Sequence, residues 1–176
     1  AVTGGGPALT DLTPKPDAGM TANEVLAVAA AVERRSEHPL AQAVVRAALE
    51  RGLTVIPALE VQALSGRGAR GLVAGSDILV GSVALFEEFG QILTPGLTQA
   101  VADLEAAGKT VMLVGRATGP VLGLLAVADR VRPDAREALV SLKRAGITHT
   151  VMLTGDNERT AQALSLIHIS EPTRPY

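Results

Sequence analysis

The sequence predicts an α+β domain, an antiparallel sheet flanked by helices, that runs on into part of a parallel α/β unit, and three observations carry this. Amphipathic runs of helical period fill residues 22–52, short apolar β runs separated by turn residues dominate from Val55 to Val127, and a helix–strand–loop pattern follows from Pro133 to Asn157. At 176 residues the chain has room for one ordinary domain or two small ones.

The elements follow in order. Ala1–Ala18, rich in Gly, Pro and Thr, reads as a linker or strand remnant in which Ala8–Leu12 forms at most a short strand. Thr21 and Glu24 make a capping box, and Val25, Leu26, Val28, Ala29 and Val32 then recur at helical spacing, which gives a first helix over about Ala22–Arg35. Pro39 opens a second helix, since its missing N–H costs nothing in a first turn, and Gly52 closes it. Ser36-Glu37-His38 is the junction between them. A meander follows, with strands at Val55–Ile56, Val61–Leu64, Leu72–Val73 and Ile78–Val80, and with Gly75-Ser76-Asp77 as a hairpin turn. Thr94-Pro95 starts a helix through Leu97, Val101 and Leu104 that Gly108 ends, before strands at Val111–Val114 and Val121–Val127. Pro133 begins a helix stopped by Gly146, and Val151-Met152-Leu153 is a short buried strand that runs into Thr154-Gly155-Asp156-Asn157. The domain boundaries expected from this pattern are 1–18, 19–127, 128–163 and 164–176.

Composition narrows the chemistry. Sixteen Lys and Arg stand against 18 Asp and Glu, a formal net charge of -2, and aromatic residues are 2% of the chain. Neither a cationic field nor a stacking platform is present, so nucleic acid is not an expected partner. The absence of cysteine excludes thiolate nucleophiles, disulfides and Cys-based metal sites. His38, His149 and His168 share no ligand spacing, so no metal site is expected. Every apolar run is broken before the ~20 residues that a membrane helix needs.

Several motifs admit two readings each. Gly66-Arg67-Gly68-Ala69-Arg70-Gly71 matches the dinucleotide fingerprint in spelling, but a strand follows it where a helix is required. It is either a plain bulged turn or a glycine turn that lets backbone approach a nucleotide. Gly108-Lys109-Thr110 lacks the first glycine of a phosphate loop and leads from helix to strand, so it is set aside. His38 is either the N-cap of the Pro39 helix or an imidazole presented to a flat base. Thr154-Gly155-Asp156-Asn157 sits at the carboxyl end of an apolar strand, where phosphate is commonly held, and is equally a capped turn.

The order of these strings is more specific than any one of them. Ser36-Glu37-His38-Pro39-Leu40, the glycine turn at 66–71, Leu79-Val80-Gly81-Ser82, Asp129–Pro133 and Met152-Leu153-Thr154-Gly155-Asp156-Asn157 together resemble the cytoplasmic ATP-binding region of heavy-metal-translocating P-type ATPases over about Ala1–Ala163. The resemblance implies a nucleotide-binding domain, 19–127, inserted in a haloacid-dehalogenase-like phosphorylation domain of which 1–18 and 128–163 are parts. It implies that Glu37 and His38 contact adenine, that Gly66 and Gly68 let the backbone approach the nucleotide, and that Gly81 and Ser82 line the same cleft. Where this chain has Ser82 the family commonly has Asn, so the reach of that side chain is shorter. Thr154 and Asp156 would belong to the phosphorylation site. ATP is the implied ligand, with Mg2+ in the complete protein, and a heavy-metal ion would be met only through a membrane domain. The implied place is the cytoplasmic side of an integral membrane protein. The family's phosphorylated Asp-Lys-Thr-Gly-Thr is not in the chain, so the expectation is a fragment that binds ATP without completing phosphoryl transfer. Gly146–Leu153 and Leu79–Ser82 resemble the zinc/cadmium/lead exporters more than the copper exporters. A copper exporter, or a phosphatase fragment of the haloacid dehalogenase superfamily, is the alternative. The N-terminus reads as a cut end, and the tail 164–176 resembles a translated sequencing adapter and is left out of fold reasoning.

Overall fold

The computed structural model describes residues 3–131 and 140–146. Strand β1 (Thr3–Pro14) is followed by a single 3-10 turn (Pro16–Ala18) and then by helices α1 (Ala22–Glu33) and α2 (Pro39–Glu50). Strands β2 (Leu59–Leu64), β3 (Gly68–Val73) and β4 (Ser76–Gly81) come next, then helices α3 (Val83–Glu88) and α4 (Pro95–Ala106), then β5 (Thr110–Arg116) and β6 (Val121–Val131). The strands form one six-stranded sheet in the order β1-β6-β5-β4-β3-β2, antiparallel at every pairing.

Alternation along the strands sorts the apolar residues onto two faces. Val80, Val114 and Leu125 point to α1 and α2, where Val25, Leu26 and Val44 meet them with no exposed surface. Leu79, Leu113 and Leu124 point the other way, onto Leu85 and Phe86 of α3 and Val101 of α4. Each fully buried leucine or phenylalanine contributes roughly 1.5–3 kcal/mol relative to exposure, so both helical layers are anchored by a few side chains apiece.

Local chemistry fixes the ends. The capping box forms as expected: the Glu24 N–H donates to Thr21 Oγ1 at 3.2 Å and the Thr21 N–H to Glu24 Oε2 at 2.7 Å. Thr21→Ala is expected to cost about 1 kcal/mol in urea denaturation with an unchanged denaturant slope. On the α3 face, Arg70 grips Asp77 through Nε at 2.8 Å and its terminal nitrogen, and its guanidinium lies 5.6 Å from the Phe89 ring centroid. That grip holds the Asp77 carboxyl below its usual range.

Five expectations are corrected. β1 is not a short strand at 8–12 but runs from Thr3 to Pro14, because the long β6 offers it a partner from Val131 back to Gly123. The hairpin turn between β3 and β4 is not Gly75-Ser76-Asp77 but Ala74-Gly75, with Val73 paired to Ser76; both turn residues have positive φ, 48° and 80°, as a two-residue hairpin requires. Val55 and Ile56 form no strand: the segment between α2 and β2 is irregular, with Val55 packed against the α1–α2 core and Ile56 exposed. Helix α1 ends at Glu33, not Arg35. Helix α3 was not expected, being too short to show a period, and is declared only by Ser82, whose Oγ accepts from the Leu85 N–H at 3.3 Å. Residues 140–144 are helical and Gly146 follows with φ 87°, in keeping with the expected helix end. Pro133–Leu139, the 151–153 strand, the Thr154–Asn157 loop, His149, His168 and the tail lie outside the described residues.

Candidate functional site

A cavity of about 750 Å³ opens where the end of α1, the start of α2, the glycine turn and the first residues of β5 converge. Glu37, His38, Gly66, Gly68, Gly81 and Ser82, drawn from three separate stretches of sequence, all line it. Thr154 and Asp156 lie outside the described residues.

The α1–α2 junction is held by its own side chains. Ser36 Oγ accepts from the His38 N–H at 3.3 Å, and His38 Nδ1 accepts from the Leu40 N–H at 3.2 Å, which caps α2. The capping and presenting readings of His38 are therefore compatible. With Nδ1 accepting, the neutral imidazole carries its proton on Nε2, and the ring's free edge is a donor at the cavity. Glu37 beside it is exposed.

The glycines answer to different demands. A Cβ on Gly68 would stand 2.0 Å from the Val80 carbonyl oxygen and 2.7 Å from the Gly81 Cα, and one on Gly81 would stand 2.3 Å from the Arg67 carbonyl oxygen. Gly68 and Gly81 are register partners in β3 and β4, so these two glycines are required first by each other. Gly66 needs glycine for its φ of 69° alone and has open space where a Cβ would sit, at the cavity wall.

Sequence reasoning missed Glu33. It is the one charged residue buried among the described residues, 5% exposed, and it lines the same cavity. Burial pushes its carboxyl up to about 7, and desolvation is the whole of the cause. Near neutral pH it is therefore poised between donor and acceptor, the property useful against the amino and ring-nitrogen edge of a base. The signal was in the period: Glu33 stands seven residues after Leu26 and four after Ala29, on the buried stripe of α1. Apolar Val32 and Met112 and the half-buried Leu40 line the cavity beside it, so one region is fit for a flat ring and another, at the glycine turn, for close backbone approach.

In sequence and in fold the chain is similar to known proteins. The family described as haloacid dehalogenase-like hydrolase matches residues 5–170. The chain is 40% identical over 164 residues to a probable copper-exporting P-type ATPase of Archaeoglobus fulgidus, covering 93% of this chain and 19% of that protein. It is 37% identical to a probable cadmium-transporting ATPase of Alkalihalophilus pseudofirmus, with 93% and 23% covered. The chain thus spans about a fifth of the length of the curated relatives it matches. Among solved structures it is similar to a zinc-transporting PIB-type ATPase in the E2.Pi state, with a TM-score of 0.81 at 37% identity over 94% of this chain and 26% of that one. The N-domain of a copper-transporting P-type ATPase aligns with a TM-score of 0.59 at 26% identity, over 69% of this chain and 99% of that one.

Proposed function

The chain belongs to the haloacid dehalogenase-like hydrolase family, its relatives are heavy-metal P-type ATPases, and from that premise we propose that its cavity is the ATP site of such a transporter's cytoplasmic region. The observation that carries the reading is convergence: residues from the α1–α2 junction, the glycine turn and the end of β4 line one cavity that also holds the buried Glu33 carboxyl. In this reading His38 donates from Nε2 and Glu33 exchanges a hydrogen bond with the base edge, while the apolar wall excludes water from the ring. The glycine turn brings main-chain N–H groups close to the nucleotide. The module proposed for 19–127 holds ATP, and 1–18 with 128–163 belong to the phosphorylation domain, with Thr154 and Asp156 beside the reacting phosphate.

In the whole protein, the γ-phosphate would pass to an aspartate carboxylate, and the aspartyl phosphate would drive export of the metal ion. Magnesium in that reaction would be held by phosphate oxygens and by one or two carboxylates of the phosphorylation domain; among the described residues no group of three or more His, Asp or Glu is placed to hold a metal. This chain alone is proposed to bind ATP without turnover. No described helix is long and apolar enough to cross a membrane, which accords with a place beside the membrane domain on the ATP side. For the cargo we favour the zinc/cadmium/lead type on the strings Gly146–Leu153 and Leu79–Ser82; the 40% identity to a copper exporter favours copper as the second reading. Metal-stimulated ATPase activity of the complete transporter, measured with each ion, separates the two.

The binding reading is tested by titrating the chain with ATP and following amide resonances. Shifts are expected at Glu33, His38, Gly66 and Gly68, and His38→Ala is expected to weaken binding roughly tenfold, the loss of one hydrogen bond to a charged or polar group. Shifts confined to the α3–α4 face would reject it.

A further inference from the structure

We propose that Arg67 is a polyphosphate ligand of this cavity and that Glu88 is the anion that holds its guanidinium until a nucleotide arrives. The proposal rests on reading the cavity as an ATP site and assigns its charge recognition to the one side chain between the two glycines of the turn, Arg67, to which no role has been given so far.

The backbone of the glycine turn does not need the Arg67 side chain. The Arg67 N–H donates to the Leu64 carbonyl at 2.9 Å, its carbonyl accepts from the Ser82 N–H at 2.9 Å, and Gly68 seats against Gly81. The side chain instead leaves the turn and pairs with Glu88 in the last turn of α3, with the two side chains 47% and 52% exposed. An ion pair this exposed adds little to folding, so exchanging its partner costs little. Glu88 does not line the cavity, whereas Arg67 does. The pair therefore straddles the rim.

The cavity's own charges create the need for such a residue. Glu33, Glu37 and Glu60 all line it, and a polyphosphate entering beside three carboxyl groups requires a cation to offset them. Arg35 and Arg67 are the arginines of the wall. Arg35 follows the end of α1 two residues after Glu33, on the side fit for a ring, while Arg67 sits between the glycines of the turn. A phosphate chain offers Arg67 a bidentate geometry and more charge than one carboxylate, so the guanidinium transfers from Glu88 to phosphate when the ligand is present. A nucleoside without phosphates leaves the Arg67–Glu88 pair in place.

Calorimetric titration of the chain with ATP and with adenosine tests this. Arg67→Ala is expected to weaken ATP binding about five- to tenfold while leaving adenosine within about twofold, and Arg67→Lys is expected to recover part of the loss as a point charge without the fork. Glu88→Gln removes the competitor and is expected to tighten ATP about two- to threefold with adenosine unchanged. Glu87→Gln, the same change of charge on the adjoining exposed residue, is expected to alter neither. If Glu88→Gln weakens ATP, or if Arg67→Ala weakens ATP and adenosine alike, the pair is a structural clamp and the proposal is overturned. Arg67→Ala binding both ligands as the wild type does would overturn it while leaving the ATP site standing. A wild-type chain that binds neither ligand would remove both readings together.

Discussion

Gly68→Val is expected to lower stability by about 3 kcal/mol or more and to abolish ATP binding in whatever fraction remains folded. The reason is the identity of the atoms in the way. The Val80 carbonyl oxygen at 2.0 Å and the Gly81 Cα at 2.7 Å belong to the neighbouring strand, so neither can rotate aside as a side chain would. Relief requires β3 and β4 to part at their register pair Gly68↔Gly81, where the glycine turn is attached and where the Ser82 cap of α3 begins. A φ of 151° adds backbone strain for any residue with a Cβ. Gly66→Ala is the matched comparison, because its φ is also positive but its surroundings are open, and it is expected to cost only about 1 kcal/mol. Urea denaturation of the two variants beside the wild type measures the contrast; equal, small losses would show that the two backbones are not in contact.

The second large effect is a gain. Glu33→Gln is expected to stabilise the protein above pH 7 by on the order of 3 kcal/mol while weakening nucleotide binding. An ordinary glutamate near 4.5 in the unfolded chain is pushed up to about 7 on folding, so between those values the folded state binds more protons than the unfolded one. Stability contributed by the neutral carboxyl is fully present below pH 4.5 and is lost as pH rises through about 7, where the buried group must ionise. Glutamine keeps the shape and never ionises. The difference between variant and wild type in urea midpoint should therefore be small at pH 5, widen through pH 6 and 7, and level off by pH 8. A gap that is constant with pH would mean that Glu33 does not titrate in this range. Coupled to weaker ATP binding, the pH-dependent gain would mark Glu33 as a residue kept at the expense of stability.

Much of this was legible in the chain because its signals were local. Thr21 with Glu24, Pro39 after His38, Thr94 before Pro95 and Gly108 each declare a helix end by chemistry that acts within one turn, and the helix starts they predict are the ones observed. The candidate site was legible wherever a string was distinctive, so that Glu37, His38, Gly66, Gly68, Gly81 and Ser82 all line one cavity. What was illegible depends on partners distant in sequence. β1 has weak strand residues and becomes a long strand only because β6 lies along it. Glu33 stands on the buried stripe of α1, but a charged residue at a helix end reads as a polar terminus, and only the packed fold shows it 5% exposed. The pairing of Arg67 with Glu88 joins residues 21 apart and follows from no spacing rule.

The pairing of Thr3 with Val131 makes the two ends of the sheet-bearing unit neighbours across a single ladder rung. For any host chain that enters at one strand and leaves by the other, everything between is topologically a hairpin loop. The host therefore meets almost none of the closure entropy that so long an excursion would otherwise demand. Because both tethers are paired to each other at the edge of the sheet, a rotation of that rung would be passed to β5 and onward through the ladder. Such a joint would transmit rotation and resist shear.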